Sequence, residues 1–365
     1  MQPTRPPPKT VLVTGATGYL GTALSHAFSR AGYHVHGLVR NTNAASALLA
    51  AEITPLIGTI GPDLAFLTAL LAREETRPFD VVVSCTEQIP FDAHWAHVLA
   101  LLTLVAHHAR EKGAGKPLVL VTSGCKDYGF TPRHGEAGLA PHGEDAPLRP
   151  VDLLRARAFS VLQAFGYKEL FDAVVVRPTP LFGYGGSYYG VLFDVLGRVL
   201  REGVQGAVQV PGHPDNIYHG CHVDDCAKAY VALAAHPVRA EVSGECFNIS
   251  GYRYETVSEI LAALAAEYGV EGGIAVAPVA EVRPELRALD PVLGYSQWVG
   301  SEKIRRLTGW EDKRALFSEN VGAYRLAYEA AAKAGDEGVA RIRDRVAGWV
   351  AAGIEFQKTQ AESTT

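Results

Sequence analysis

The stretch TVLVTGATGYLG, residues 10–21, sets Gly15, Gly18 and Gly21 three apart between an apolar β-branched run and sequence of helical type. That placement suits a dinucleotide. Glycines permit a tight turn and let backbone N–H groups approach a pyrophosphate, and a helix N-terminus adds open donors and a partial positive charge. Alone, three glycines also make a plain tight turn; after a strand and at the head of a helix they are specific. Thr17, Tyr19 and Leu20 lie in the same loop and are read as cofactor-binding with it. The next strand ends GLVRN, with Arg40 where an NAD binder usually carries an acid for the ribose hydroxyls. A guanidinium there suits a 2′-phosphate, so NADP(H) is favoured over NAD(H). The alternative for Arg40 is an ordinary solvated charge.

A second constellation, IYHGCHVDDCAKAY, holds His219, His222, Asp224 and Asp225. These are metal-ligating types, but closeness in sequence is not ligand geometry, and no metal is expected. Asp224 or Asp225 is read as a helix cap instead. His94, His97, His107 and His108 fall on one long helical segment and are read as surface or packing residues.

The elements that must position these groups alternate. Helical sequence runs from Tyr19 to Ala31, from Ala93 to Lys112 and from Asp152 to Phe165. Between these segments lie the apolar runs YHVHGLV, FDVVVSC and KPLVLVTSG, and FDAVVVRP follows the last of them, with ITPLIGTI weakened as a strand by Pro55. Strands alternating with helices predict an α/β fold: a Rossmann-type doubly wound parallel sheet. After Pro178 the rhythm breaks, and a smaller mixed C-terminal substrate lobe is expected. The predicted organisation is a loose tail at 1–9 and a dinucleotide domain at 10–180, to which 216–250 returns. The substrate lobe takes 181–215 and 251–345, and a flexible tail takes 355–365.

Composition excludes more than it assigns. The chain has 365 residues, 48% apolar and 20% charged, with a net charge of −5. No basic excess points to nucleic acid or an anionic membrane. No apolar run reaches the roughly 20 residues of a membrane span. The start, MQPTRPPPKT, is proline-rich with no apolar signal-peptide run, and is expected to be a loose tail. Cys85, Cys125, Cys221, Cys226 and Cys246 form no CxxC pair, so neither zinc nor a disulfide framework is expected, and the setting is read as cytoplasmic.

The chain resembles the extended short-chain dehydrogenase/reductase family, the NAD-dependent epimerases and dehydratases. The resemblance rests on VTGATGYLG at 13–21, VLVTSGCKDYG at 119–129, VVVRPTPLFGYGGS at 174–187, HVDDCAKAYVALA at 222–234, FNISG at 247–251 and KIRRLTGW at 303–310. It implies an enzyme that oxidises, reduces or epimerises a small organic substrate. It also implies Pro178 beside the cofactor, and a homodimer paired through the 93–112 and 152–165 helices. Family chemistry further implies a tyrosine that moves a proton, a lysine four residues on, and a serine after the fifth strand. A YxxxK spacing places both on one helix face.

None of the fifteen tyrosines has a lysine four residues on. Counting from Pro150, Val151 falls at the tyrosine position and Arg155 at the lysine position, which makes Arg155 the candidate ribose contact. Gly124 falls at the serine position, with Ser123 just before it. The proton could then be moved by Lys126 or Tyr128, with Ser123 and Asp127 beside them. Tyr184, Ser187, Tyr188 and Tyr189 of YGGSYYG offer substrate contacts. The alternatives are a non-redox isomerase, cyclase or lyase that retains NADP(H), or a catalytically silent NADP-binding protein.

Overall fold

The computed structural model describes residues 7–201 and 208–352. The expected tail at 355–365 lies outside these residues, as does the tail at 1–9 except for Pro7–Lys9, which have no regular structure. The first five strands are β1 (Thr10–Thr14), β2 (His34–Val39), β3 (Thr54–Ile57), β4 (Val81–Ser84) and β5 (Leu118–Thr122), and the sixth is β6 (Asp172–Pro178). With strand Cys246–Ile249 they form one seven-stranded sheet, in the order Cys246–Ile249, β6, β5, β4, β1, β2, β3. Every pairing in it is parallel. β1 and β4 are buried along their whole length, as continuous apolar strands covered on both faces should be. Pro55 is accommodated because β3 is an edge strand, where a missing N–H costs no inner ladder bond.

Helices α1 (Tyr19–Arg30), α2 (Ala45–Ala50), α3 (Ala65–Leu71), α4 (Phe91–Glu111) and α5 (Asp152–Ser160) connect these strands. Two apolar cores cover the sheet. One joins α1 to the helix Val223–Ala235, and the other joins α3 and α4 to the far face. The helix expected to reach Phe165 ends at Ser160 and continues as 3₁₀ turns over Val161–Tyr167. Three-residue spacing keeps Val161 and Ala164 on the same buried side.

The chain runs outward from β1 to β3 and returns to β4 on the other side of β1. The carboxyl ends of β1 and β4 therefore flank the switch point, where doubly wound sheets form their crevice. Beyond β6 a smaller lobe has its own core, including Leu192, Leu196, Ile260, Leu264, Leu289 and Phe317. The last described helix, Glu337–Ala351, buries Val339 and Val346 in that core, and Arg343 forks onto Asp194 at 2.6 and 2.7 Å. It lies over the crevice and is called the roof helix below.

Candidate active site

Gly15 leaves β1 at φ 65°, in the left-handed region that glycine enters without strain. A β carbon on Gly21 would run into the Gly15 carbonyl oxygen, so the third glycine seats α1 tightly on the loop. The α1 N-cap is Gly18, with no side-chain cap and no acid in the first turn. The first N–H groups of a twelve-residue helix are thus left to whatever occupies the crevice, and a pyrophosphate fits that donor set.

A cavity of about 690 Å³ starts at this loop and is lined by Gly15, Thr17, Gly18, Tyr19 and Leu20. One arm reaches Leu38, Val39 and Arg40 at the end of β2, and Gly58 to Ile60 at the end of β3. Arg40 is exposed, and among the described residues it has no carboxylate partner. The other arm passes Cys85 and Thr86 after β4, and Pro178 at the end of β6. It ends among Ser123, Gly124, Cys125 and Lys126 after β5.

The β5 loop stands on a buried ionic cluster. Asp127 is fully buried and accepts from Ser123 Oγ at 2.5 Å and Arg157 Nη2 at 2.9 Å, with Arg177 Nε at 3.4 Å. Two arginines offset the desolvation of one carboxylate. Ser123 faces the cavity with its proton committed to Asp127, so it can only accept a hydrogen bond from a substrate. Lys126 holds Nζ 4.2 Å from the centre of the Tyr295 ring. Burial pulls its ammonium down to about 8; the Cys125 thiol opposes the shift, Arg157 adds to it, and Asp290 opposes it.

Several expectations are corrected by this geometry. Arg155 does not line the cavity: its side chain is 64% exposed and pairs with Asp152 at 3.4 Å. Arg157 takes the inward position, with Leu153 four residues before it also at the cavity. On this helix Leu153 and Arg157 line the cavity, and Val151 and Arg155 do not. Tyr128 is buried behind the loop, donates to Asn248 Oδ1 at 2.8 Å and accepts from Arg177 Nη1 at 3.0 Å. Burial raises its phenol above the usual range, and it does not reach the cavity. Tyr184 turns outward at φ 53°, 51% exposed, and bonds Asp224 and Arg314. Tyr189 is buried.

Ser187 and Tyr188 do line the cavity. Ser187 donates to the Leu181 carbonyl, which holds the loop against the short strand Leu181–Phe182. The cap of helix Val223–Ala235 is His222, whose Nδ1 accepts from the Asp224 N–H at 3.1 Å. Asp225 is instead buried and accepts from the Lys313 and Arg314 N–H groups. Burial lowers both His219 and His222 to about 4, so each is neutral at pH 7.

The roof helix supplies wall residues that local sequence reasoning missed. Arg341, Ile342, Arg345 and Trp349 face the cavity. Arg345 donates to the Tyr188 hydroxyl at 3.0 Å and lies 3.6 Å from Glu87, and Trp349 stacks on Tyr188 with ring centres 5.4 Å apart. Arg341, Arg345 and Trp349 are spaced by four, a face signal present in the sequence without any sign of its partner.

Among the described residues no helix is long and apolar enough to cross a membrane. The fold is similar to that of dTDP-glucose 4,6-dehydratase from Bacillus anthracis in complex with NAD: 18% identity, TM-score 0.66, covering 92% of this chain and 99% of that one. It is also similar to UDP-glucose 4-epimerase from Thermotoga maritima with UDP-glucose: 17% identity, TM-score 0.63, covering 88% and 99%. The uncharacterized protein y4nG of Sinorhizobium fredii is 24% identical over 263 residues, or 69% of this chain, which spans only 59% of that relative. Residues 11–250, which carry the phosphate loop, the sheet and the β5 loop, match the family model of the NAD dependent epimerase/dehydratase family, and the chain belongs to that family.

Proposed function

We propose that this protein is an NADP(H)-binding enzyme that oxidises, reduces or epimerises a small organic substrate, with Lys126 moving the proton. The observation that carries this reading is one continuous cavity from the phosphate loop to Lys126 and Ser123. Arg40 at the end of β2 supports NADP(H) over NAD(H). When bound, the nicotinamide supplies hydride acceptance or return. The chain's own residues do the rest. With its ammonium near 8, Lys126 donates a proton at neutral pH and accepts one above that. Ser123 accepts a hydrogen bond from the substrate hydroxyl and orients it. Arg157 and Arg177 hold Asp127, and through it Ser123, in place.

The test follows NADPH binding by its fluorescence and turnover by absorbance, in wild type and Lys126→Met. General acid–base catalysis is worth roughly 100-fold or more, so turnover should fall by that factor with binding retained. A Lys126→Met enzyme that turns over like wild type would sink the assignment. Leu153, which lines the cavity and cannot carry a proton, favours a second reading: a non-redox isomerase, cyclase or lyase that retains the cofactor. Product of unchanged mass with no NADPH consumed would support it, and binding without turnover would leave a silent NADP-binding protein.

A homodimer belongs to the same proposal. Its support is the exposed small-residue face of α4, with Ala93, Ala96 and Ala100, beside Phe159 of α5, which is 46% exposed. A cytoplasmic setting is also proposed, on cysteines whose spacing shows no disulfide framework.

A further inference from the structure

The roof helix lies beyond residue 250, where the family match ends, yet it walls the dinucleotide cavity. Its placement is close. A β carbon on Gly338 would sit 3.2 Å from the Gly186 α carbon, and one on Gly186 would sit 3.0 Å from the Tyr19 β carbon. Tyr19 is the first residue of α1, directly after Gly18. The start of the roof helix therefore stands one loop away from the phosphate loop, and Tyr19 is fixed there by donating to the Gly183 carbonyl at 2.7 Å. Arg341, three residues after Gly338, shares its helix face and opens on the same cavity.

The cavity's arginines divide into two sets. Arg157 is committed to Asp127 and Glu87, and Arg345 to Tyr188 and Glu87. Arg40 and Arg341 have no carboxylate partner among the described residues. A cation left on a cavity wall, opposite an uncapped helix N-terminus, is suited to an anion held between the two. Arg40 stands at the β2 arm, so the phosphate-loop position falls to Arg341.

We propose that the roof helix is a clasp on the bound dinucleotide, with Arg341 supplying a cation to its pyrophosphate opposite the phosphate loop. The inference rests on the dinucleotide reading above. The Tyr188–Trp349 stack and the Arg345–Tyr188 bond fasten the far end of the helix, and Val339 and Val346 fasten its buried side. Arg341 itself is exposed.

The test is calorimetric titration of wild type, Arg341→Gln and Arg341→Lys with three probes: NADPH, ADP-ribose and adenosine 2′-monophosphate. ADP-ribose keeps the pyrophosphate and lacks the nicotinamide, and adenosine 2′-monophosphate lacks the pyrophosphate. Arg341→Gln should weaken NADPH and ADP-ribose by about tenfold, as expected for one charge-assisted contact. It should leave adenosine 2′-monophosphate within twofold, and Arg341→Lys should recover most of the loss. Wild type that binds NADPH and a glutamine variant that binds it equally well would overturn the clasp and spare the dinucleotide reading. An equal loss on all three probes would also overturn it, because the arginine would then not be reading the pyrophosphate. Wild type that binds none of the three would overturn both.

Discussion

A β carbon built on Gly124 falls 3.0 Å from Nη2 of Arg157, the nitrogen that donates to Asp127. Gly124 has φ −165°, an extended conformation open to any residue, so its requirement is space and not backbone freedom. Gly124→Ala should therefore destabilise by about 1–3 kcal/mol through overpacking. In an Arg157→Ala background the same substitution should be close to neutral. Denaturant midpoints of the four proteins in this double-mutant cycle measure the coupling, and additive effects would show that the contact is not what excludes a side chain.

Asp127 offers a second stability test. It is fully buried and serves Arg157, Arg177 and Ser123 at once. Asp127→Asn keeps the shape but leaves two cations without their carboxylate, a change expected to cost about 3–5 kcal/mol. Urea unfolding measures it. A loss under 1 kcal/mol would mean that Glu87 and the Tyr128 hydroxyl suffice to hold the arginines.

These two clusters show what local sequence could and could not reveal. The phosphate loop was legible because its glycines, strand and helix are contiguous, and β1, β2, β4, β5 and β6 were legible as apolar runs, whereas the mostly unburied β3 was weakened by Pro55 and the short strand Cys246–Ile249 was not read as a strand. The α5 segment was legible as a helix, but not which of its residues face the cavity. Counting from Pro150 selects Arg155, whereas Arg157 lines the cavity; two residues along a helix are a rotation of about 200°, which exchanges the inner face for the outer. The Tyr128–Arg177 and Tyr188–Arg345 contacts join residues 49 and 157 positions apart, and nothing at either end announces the other. Tyr184 misled for a related reason: its loop borders the cavity, but a single positive φ aims the ring at Asp224.

Lys126 should leave a signature in both rate and stability. Burial lowers its folded value to about 8, against an unfolded value near 10.4. Between these values the unfolded chain binds more protons, so stability attributable to this group rises with pH across that window. Below about pH 8 the buried charge is a standing penalty. Lys126→Met should thus melt higher than wild type at pH 7, and the gap should close by about pH 10.5. Carbonyl reduction, which needs the ammonium, should fall as pH rises through 8, and alcohol oxidation should rise. Differential scanning and pH–rate profiles test the two parts separately; parallel melting curves for the two proteins would contradict the stability claim.

Arg40 decides the proposed cofactor preference, and its exposure makes the test clean. Among the described residues no acid lines the cavity at the end of β2 to accept hydrogen bonds from a free ribose hydroxyl pair. Arg40→Asp would install such an acceptor and place a negative charge where the 2′-phosphate is proposed to lie. Repulsion should weaken NADPH binding by at least tenfold, or about 1.4 kcal/mol, while NADH binding holds or improves. Because the side chain is solvated, thermal stability should not move, which separates a binding effect from a folding one. The NADPH penalty should shrink as salt is raised, since an exposed pair is screened over roughly 8–10 Å at physiological ionic strength. Equal losses for the two cofactors, or none for either, would place Arg40 among the ordinary surface charges and remove the reason for preferring NADP(H).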